Sequence, residues 1–150
     1  MGSTTITHKG PQYPAGTRKA AGSAIEYLIT PQSYSRLHRL PTDEVYHFYL
    51  GDPVALFLIP PQGPPRTVLL GQDVLSGMEV QFVVPAGWWQ GSRLLDGGQW
   101  AFLGTTMAPA YTDADYTDAD ADALCRAYPD FAREIRLLTA PPQFPETSPA

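Results

Sequence analysis

Between Ser35 and Pro53 the chain gathers His38, His47, Arg36, Arg39, Asp43, Glu44, Tyr46 and Tyr49 on what read as two short strands around Pro41-Thr42-Asp43. Imidazole and carboxylate are the side chains that exchange protons or hold metals, and burying several of them without use is costly. A Gly51-Asp52-Pro53 turn closes the second strand. Alternation along that strand puts Glu44, Tyr46 and Phe48 on one face and Val45, His47 and Tyr49 on the other. His38 precedes Glu44 by six residues, so both point inward if the Pro41 turn keeps register, with Arg39 and His47 outside.

The elements that must hold these groups are short. The chain has 150 residues, 43% hydrophobic and 17% charged, with 16 prolines and 13 glycines, which suits one globular all-β domain with many turns. Ala24–Thr30 is strand-like, Val54–Ile59 is an apolar run suited to a strand buried on both faces, and Thr67–Leu70 and Val80–Val84 are further strands. Residues 88–94 and 99–107 are predicted to pair as a hairpin about Asp96-Gly97-Gly98, giving about eight strands in a sandwich or barrel. The duplicated Tyr-Thr-Asp-Ala-Asp of 111–120 lacks the Gly and distal Glu of a calcium loop and is predicted to be an acidic helix start. Two short helices, 121–128 and 130–138, follow and are broken at Pro129. Residues 1–22 are predicted to be a tail or edge strand, 23–140 one domain, and 141–150 a tail.

A net charge of -5 without a Lys/Arg cluster argues against nucleic acid. No apolar stretch approaches the roughly 20 residues of a membrane span, and no export pattern opens the chain, which predicts a soluble, cytoplasmic protein without a membrane partner. The single Cys125 can form no internal disulfide and is expected to pack in a helix.

The spacing of His38, Glu44 and Gly51 resembles the first motif of the cupin superfamily, and Pro85-Ala86-Gly87-Trp88-Trp89-Gln90 resembles the second. The ordered set from Ser35-x-x-His38-Arg39 through Gly51-Asp52-Pro53 to Met107-Ala108-Pro109 is similar, over about 23–138, to a small branch, the cupin-5 family. The resemblance implies a double-stranded β-helix, the jelly-roll cupin barrel, with short C-terminal helices, a pocket inside it and a homodimeric state. Metal-dependent cupins use three His and one Glu; here Leu40 and Gln90 stand at the second and third His positions. Neither suits a borderline metal, so no metal or other cofactor is expected; a retained ion would fall to His38, Glu44 and Gln90.

What remains resembles the metal-free, sugar-epimerase-like cupins. It implies His38 as base, Glu44 as its orienter or partner acid, and Tyr46 as proton donor. Gln90, Trp88, Phe48, Ser92 and Arg93 are the expected substrate-binding residues, with Gln90 donating to a carbonyl or enolate and Arg93 able to clamp an anion. The expected function is metal-independent isomerisation or epimerisation, or a related dehydration or cyclisation, of a small carbonyl-bearing or sugar-like molecule. A metal-dependent oxygenase and a non-catalytic ligand-binding or sensory module are the alternatives.

Overall fold

β-Branched and aromatic residues make Ser23–Ile29 the first strand (β1) of a computed structural model that describes residues 18–141. The predicted tails at 1–17 and 142–150 lie outside the described residues, and 18–22 form no strand. Eight more strands follow: β2 Ser35–Arg39, β3 Glu44–Gly51, β4 Val54–Ile59, β5 Arg66–Leu70, β6 Gln81–Val84, β7 Trp89–Leu94, β8 Ala101–Met107 and β9 Thr117–Asp118. Helices α1 (Ala121–Ala127) and α2 (Ala132–Thr139) end the described chain.

The strands form two sheets, β1-β8-β3-β6 and β5-β4-β7-β2-β9, with every strand pair antiparallel. The Pro41–Asp43 turn is a corner: β2 belongs to the five-stranded sheet and β3 to the four-stranded one. Gly51 takes a φ of 103°, a conformation that glycine adopts at no steric cost, where the chain turns back to the five-stranded sheet.

Inward side chains of both sheets, among them Tyr46, Phe48, Leu56, Leu58, Val84 and Leu103, make the main core. β4 is buried on both faces as its apolar run predicts, because Phe57 and Ile59 join a second cluster with Leu37, Ile135 and Leu138. Gly91 lets α2 come close: a Cβ there would lie 3.2 Å from Leu138 Cδ1. Cys125 is half-buried in this cluster and is a packing residue.

Two expectations are corrected. β7 and β8 are not a hairpin; β7 pairs with β2 and β4, and β8 with β1 and β3. The Asp52 carboxylate accepts from the Gln99 N–H at 2.7 Å, and the Leu95 N–H donates to the Pro53 carbonyl at 3.1 Å. These bonds carry the loop across from one sheet to the other. The Asp-rich duplication is not one helix start either. Asp113–Asp115 is a 3₁₀ turn, Thr117–Asp118 is the ninth strand, and only Asp120 caps α1, accepting from the Ala123 N–H at 3.0 Å.

Candidate functional site

β2 and β3 carry His38 and Glu44 inward from opposite sheets, and each is 7% exposed. His38 Nε2 and Glu44 Oε2 lie 4.0 Å apart. His38 Nδ1 is 2.7 Å from the Arg36 carbonyl, which can only accept, so the ring proton sits on Nδ1 and the Nε2 lone pair faces the carboxyl. Burial pushes the imidazole below its ordinary value, against the Arg36 carbonyl and the Asp118 carboxylate, which pull it up. Burial pushes the Glu44 carboxyl up, opposed by Thr105 and Gln90. The dyad is therefore held towards its uncharged form, imidazole facing carboxylic acid. Glu44 Oε2 and Gln90 Oε1 are buried without hydrogen-bond partners.

The two shifts act oppositely on stability. His38 binds its proton more weakly folded than unfolded, so stability falls as pH drops below about 6.5 towards the folded value. Glu44 binds its proton more strongly folded, so stability falls as pH rises from the ordinary carboxyl value of 4.5 through the raised one. Urea midpoints at pH 5 and pH 8 check this. Glu44→Gln should lose less stability than wild type over that rise, and an identical loss would remove Glu44 as a source of it.

Both residues open onto a cavity of about 450 Å³. Tyr46 lines it too, with its phenol pushed well up by burial, then by Glu44 and Tyr27. Four further tyrosines line the cavity that the sequence did not single out: Tyr27, Tyr34, Tyr111 and Tyr116. Tyr116 stacks on His38, centroids 4.7 Å apart and planes at 11°. The signal was present in the duplication, since each copy opens on a tyrosine. Asp115 fixes that segment: it accepts from the Thr112 N–H at 2.8 Å and hydroxyl at 2.9 Å, and from the Lys19 ammonium.

Other predicted residues sit elsewhere. Gln90 is 2% exposed and pairs with His38 across β2 and β7; its side chain hydrogen-bonds the Glu44 carboxyl and does not line the cavity. Phe48 is core, and Trp88 packs against the same core, with the Arg66 guanidinium 5.3 Å from its ring centroid. Ser92 is fully buried on β7, where its hydroxyl acts on the Tyr27 phenol. Arg93 donates to Asp96 at 2.9 Å and to the Leu94 carbonyl at 3.1 Å, beside a second hollow that holds neither His38 nor Glu44. Outside, Arg39 lies 4.7 Å over Trp89 and His47 bonds Thr106 at 2.9 Å.

The donor set does not fit a transition-metal centre. Leu40 is buried on the cavity wall without a lone pair, and Gln90 offers only an amide. Among the described residues no group of three His, Cys, Asp or Glu side chains could hold an ion, and no helix is long and apolar enough to cross a membrane.

Two facing antiparallel sheets wound in this order, with the cavity between their inner faces, make the protein a jelly-roll cupin. Within that superfamily the chain belongs to the Cupin_5 family, described as Cupin superfamily (DUF985), whose sequence profile matches residues 2–119. A Shewanella oneidensis protein of known structure is similar at 28% identity and TM-score 0.75, over 88% of this chain and 85% of that one. A hypothetical protein from Leishmania major matches at 30% identity and TM-score 0.75, over 89% and 84%. A dTDP sugar isomerase from Desulfovibrio desulfuricans G20 shares the fold at 16% identity and TM-score 0.58, over 77% and 72%. No curated protein matches the chain.

Proposed function

We propose that the cavity is the active site of a metal-independent isomerase or epimerase, or of a related dehydratase or cyclase, that works by proton transfer next to a carbonyl. The observation that carries this is the bare Nε2 of His38 facing the Glu44 carboxyl at 4.0 Å, on the wall of a largely apolar cavity. A base and an acid set this close can act on the two ends of one enolisation. His38 Nε2 takes the proton from the carbon next to the carbonyl, the C–H pair becomes the C=C bond, and the Glu44 carboxyl gives its proton to the carbonyl oxygen. Reversal at the other face or at the neighbouring carbon returns both protons, so no oxidant or reductant is needed. Tyr46 keeps its phenol proton and stands as donor from the same strand. The sugar isomerase of similar fold supports this class of chemistry.

Incubation of candidate ketones and aldoses in deuterium oxide tests the reading. Wild type should wash deuterium into the carbon next to the carbonyl, and Glu44→Gln should slow this by roughly 100-fold, the usual contribution of a positioned acid or base. If binding is seen with every ligand and exchange with none, the cavity is a binding module without turnover.

A further inference from the structure

The lining of the cavity states what the ligand can carry. Among the described residues six rings face it: His38 and the tyrosines at 27, 34, 46, 111 and 116. Among the described residues that line it there is no lysine or arginine, and its one ionisable acid is Glu44. Two cations among the described residues are already paired with carboxylates. Lys19 bonds Asp115, and the Arg36 guanidinium stands 3.7 Å from Asp118. After burial itself, Asp113 and Asp115 raise the phenol of Tyr111 and Asp118 that of Tyr116, which Arg36 pulls the other way. A phosphate or carboxylate taken into such a site would give up hydration and meet no lysine or arginine among the described lining residues. An ammonium would draw Glu44 into its charged form, against the burial that holds it neutral. Tyrosine faces give an uncharged ring both stacking area and hydroxyls for a few directed bonds.

Resting on the proton-transfer reading above, we infer that the substrate is an uncharged, ring-bearing carbonyl compound without phosphate or carboxylate, held by stacking between the cavity tyrosines. The site then shares a fold with nucleotide-sugar enzymes while rejecting their diphosphate ligands.

Calorimetry and ligand-observed NMR on the full chain test this with 2-tetralone, its acid counterpart 1,2,3,4-tetrahydro-2-naphthoic acid, dTDP-glucose and choline. 2-Tetralone should saturate the protein and bind at least about tenfold more tightly than the acid, while dTDP-glucose and choline do not saturate. Tyr116→Ala should weaken 2-tetralone by about threefold to tenfold, the range of a ring–ring contact, with unchanged thermal unfolding. Equal or tighter binding of the acid, dTDP-glucose or choline overturns the inference, and so does failure of 2-tetralone to saturate. The outcomes also separate this inference from the one beneath it. Binding of 2-tetralone without deuterium exchange removes the proton-transfer chemistry and leaves the ligand class standing; exchange into a nucleotide sugar does the reverse.

Discussion

Replacing His38 with alanine should lower kcat on the carbonyl substrate by roughly 100-fold or more, the usual cost of removing a general base. The effect should fall on kcat more than on KM, because in the proposed reaction Nε2 acts on a carbon–hydrogen bond that breaks only in the transition state. The alanine also removes the ring that stacks on Tyr116 and the Nδ1 bond to the Arg36 carbonyl, so a local disturbance has to be separated from lost chemistry. His38→Gln makes that separation, since its amide N–H can still donate while it has no base of useful strength. Both variants should be nearly inactive. An active glutamine variant would assign His38 to structure and leave Glu44 alone with the chemistry.

The largest expected effect on stability lies at Leu58, which has 0% exposure in the core between the sheets. Truncation to alanine there should cost about 2–5 kcal/mol, since the strands on either side are hydrogen-bonded in place and cannot collapse into the void. That is a large share of the roughly 5–15 kcal/mol that holds a domain folded. Leu75 is 98% exposed in a turn of 3₁₀ helix, and its alanine variant should stay within about 0.5 kcal/mol of wild type. Urea unfolding of the pair decides the matter: similar midpoints would contradict the packing of the two sheets around β4.

The residues that were legible in the sequence were those whose position follows from local periodicity. Glu44, Tyr46 and Phe48 are buried while Val45, His47 and Tyr49 are more exposed, because a strand with one face on a core has only one tolerable register. The two-sided burial of β4 was equally plain, since no polar residue interrupts it. The pairing of β7 and β8 was not, because an Asp-Gly-Gly turn looks the same whether its strands fold together or part into two sheets. What parts them is Asp52, more than forty residues away in the chain, bound to the Gln99 N–H. The tyrosine walls were hidden for the same reason. They come from β1, β3 and the segments at 34 and 111–116, and only the winding of the barrel brings them together. Arg93, expected to bind an anion, donates instead to a neighbour three residues away, Asp96, a pairing that strand alternation does not announce.

The corner at Pro41–Asp43 places His38 on one sheet and Glu44 on the other, with only five residues between them. The separation of His38 from Glu44 is thus a reading of how tightly the two layers of the sandwich are clasped. One clasp is visible at the corner itself: the Asp43 carboxylate accepts from the Ala86 N–H at 2.8 Å, and the Leu40 carbonyl accepts from the Gly87 N–H at 2.9 Å. The spacing of His38 and Glu44 is therefore adjustable at residues outside the cavity lining. A lineage could retune the distance between the two side chains through Asp43, Ala86 and Gly87, none of which lines the pocket.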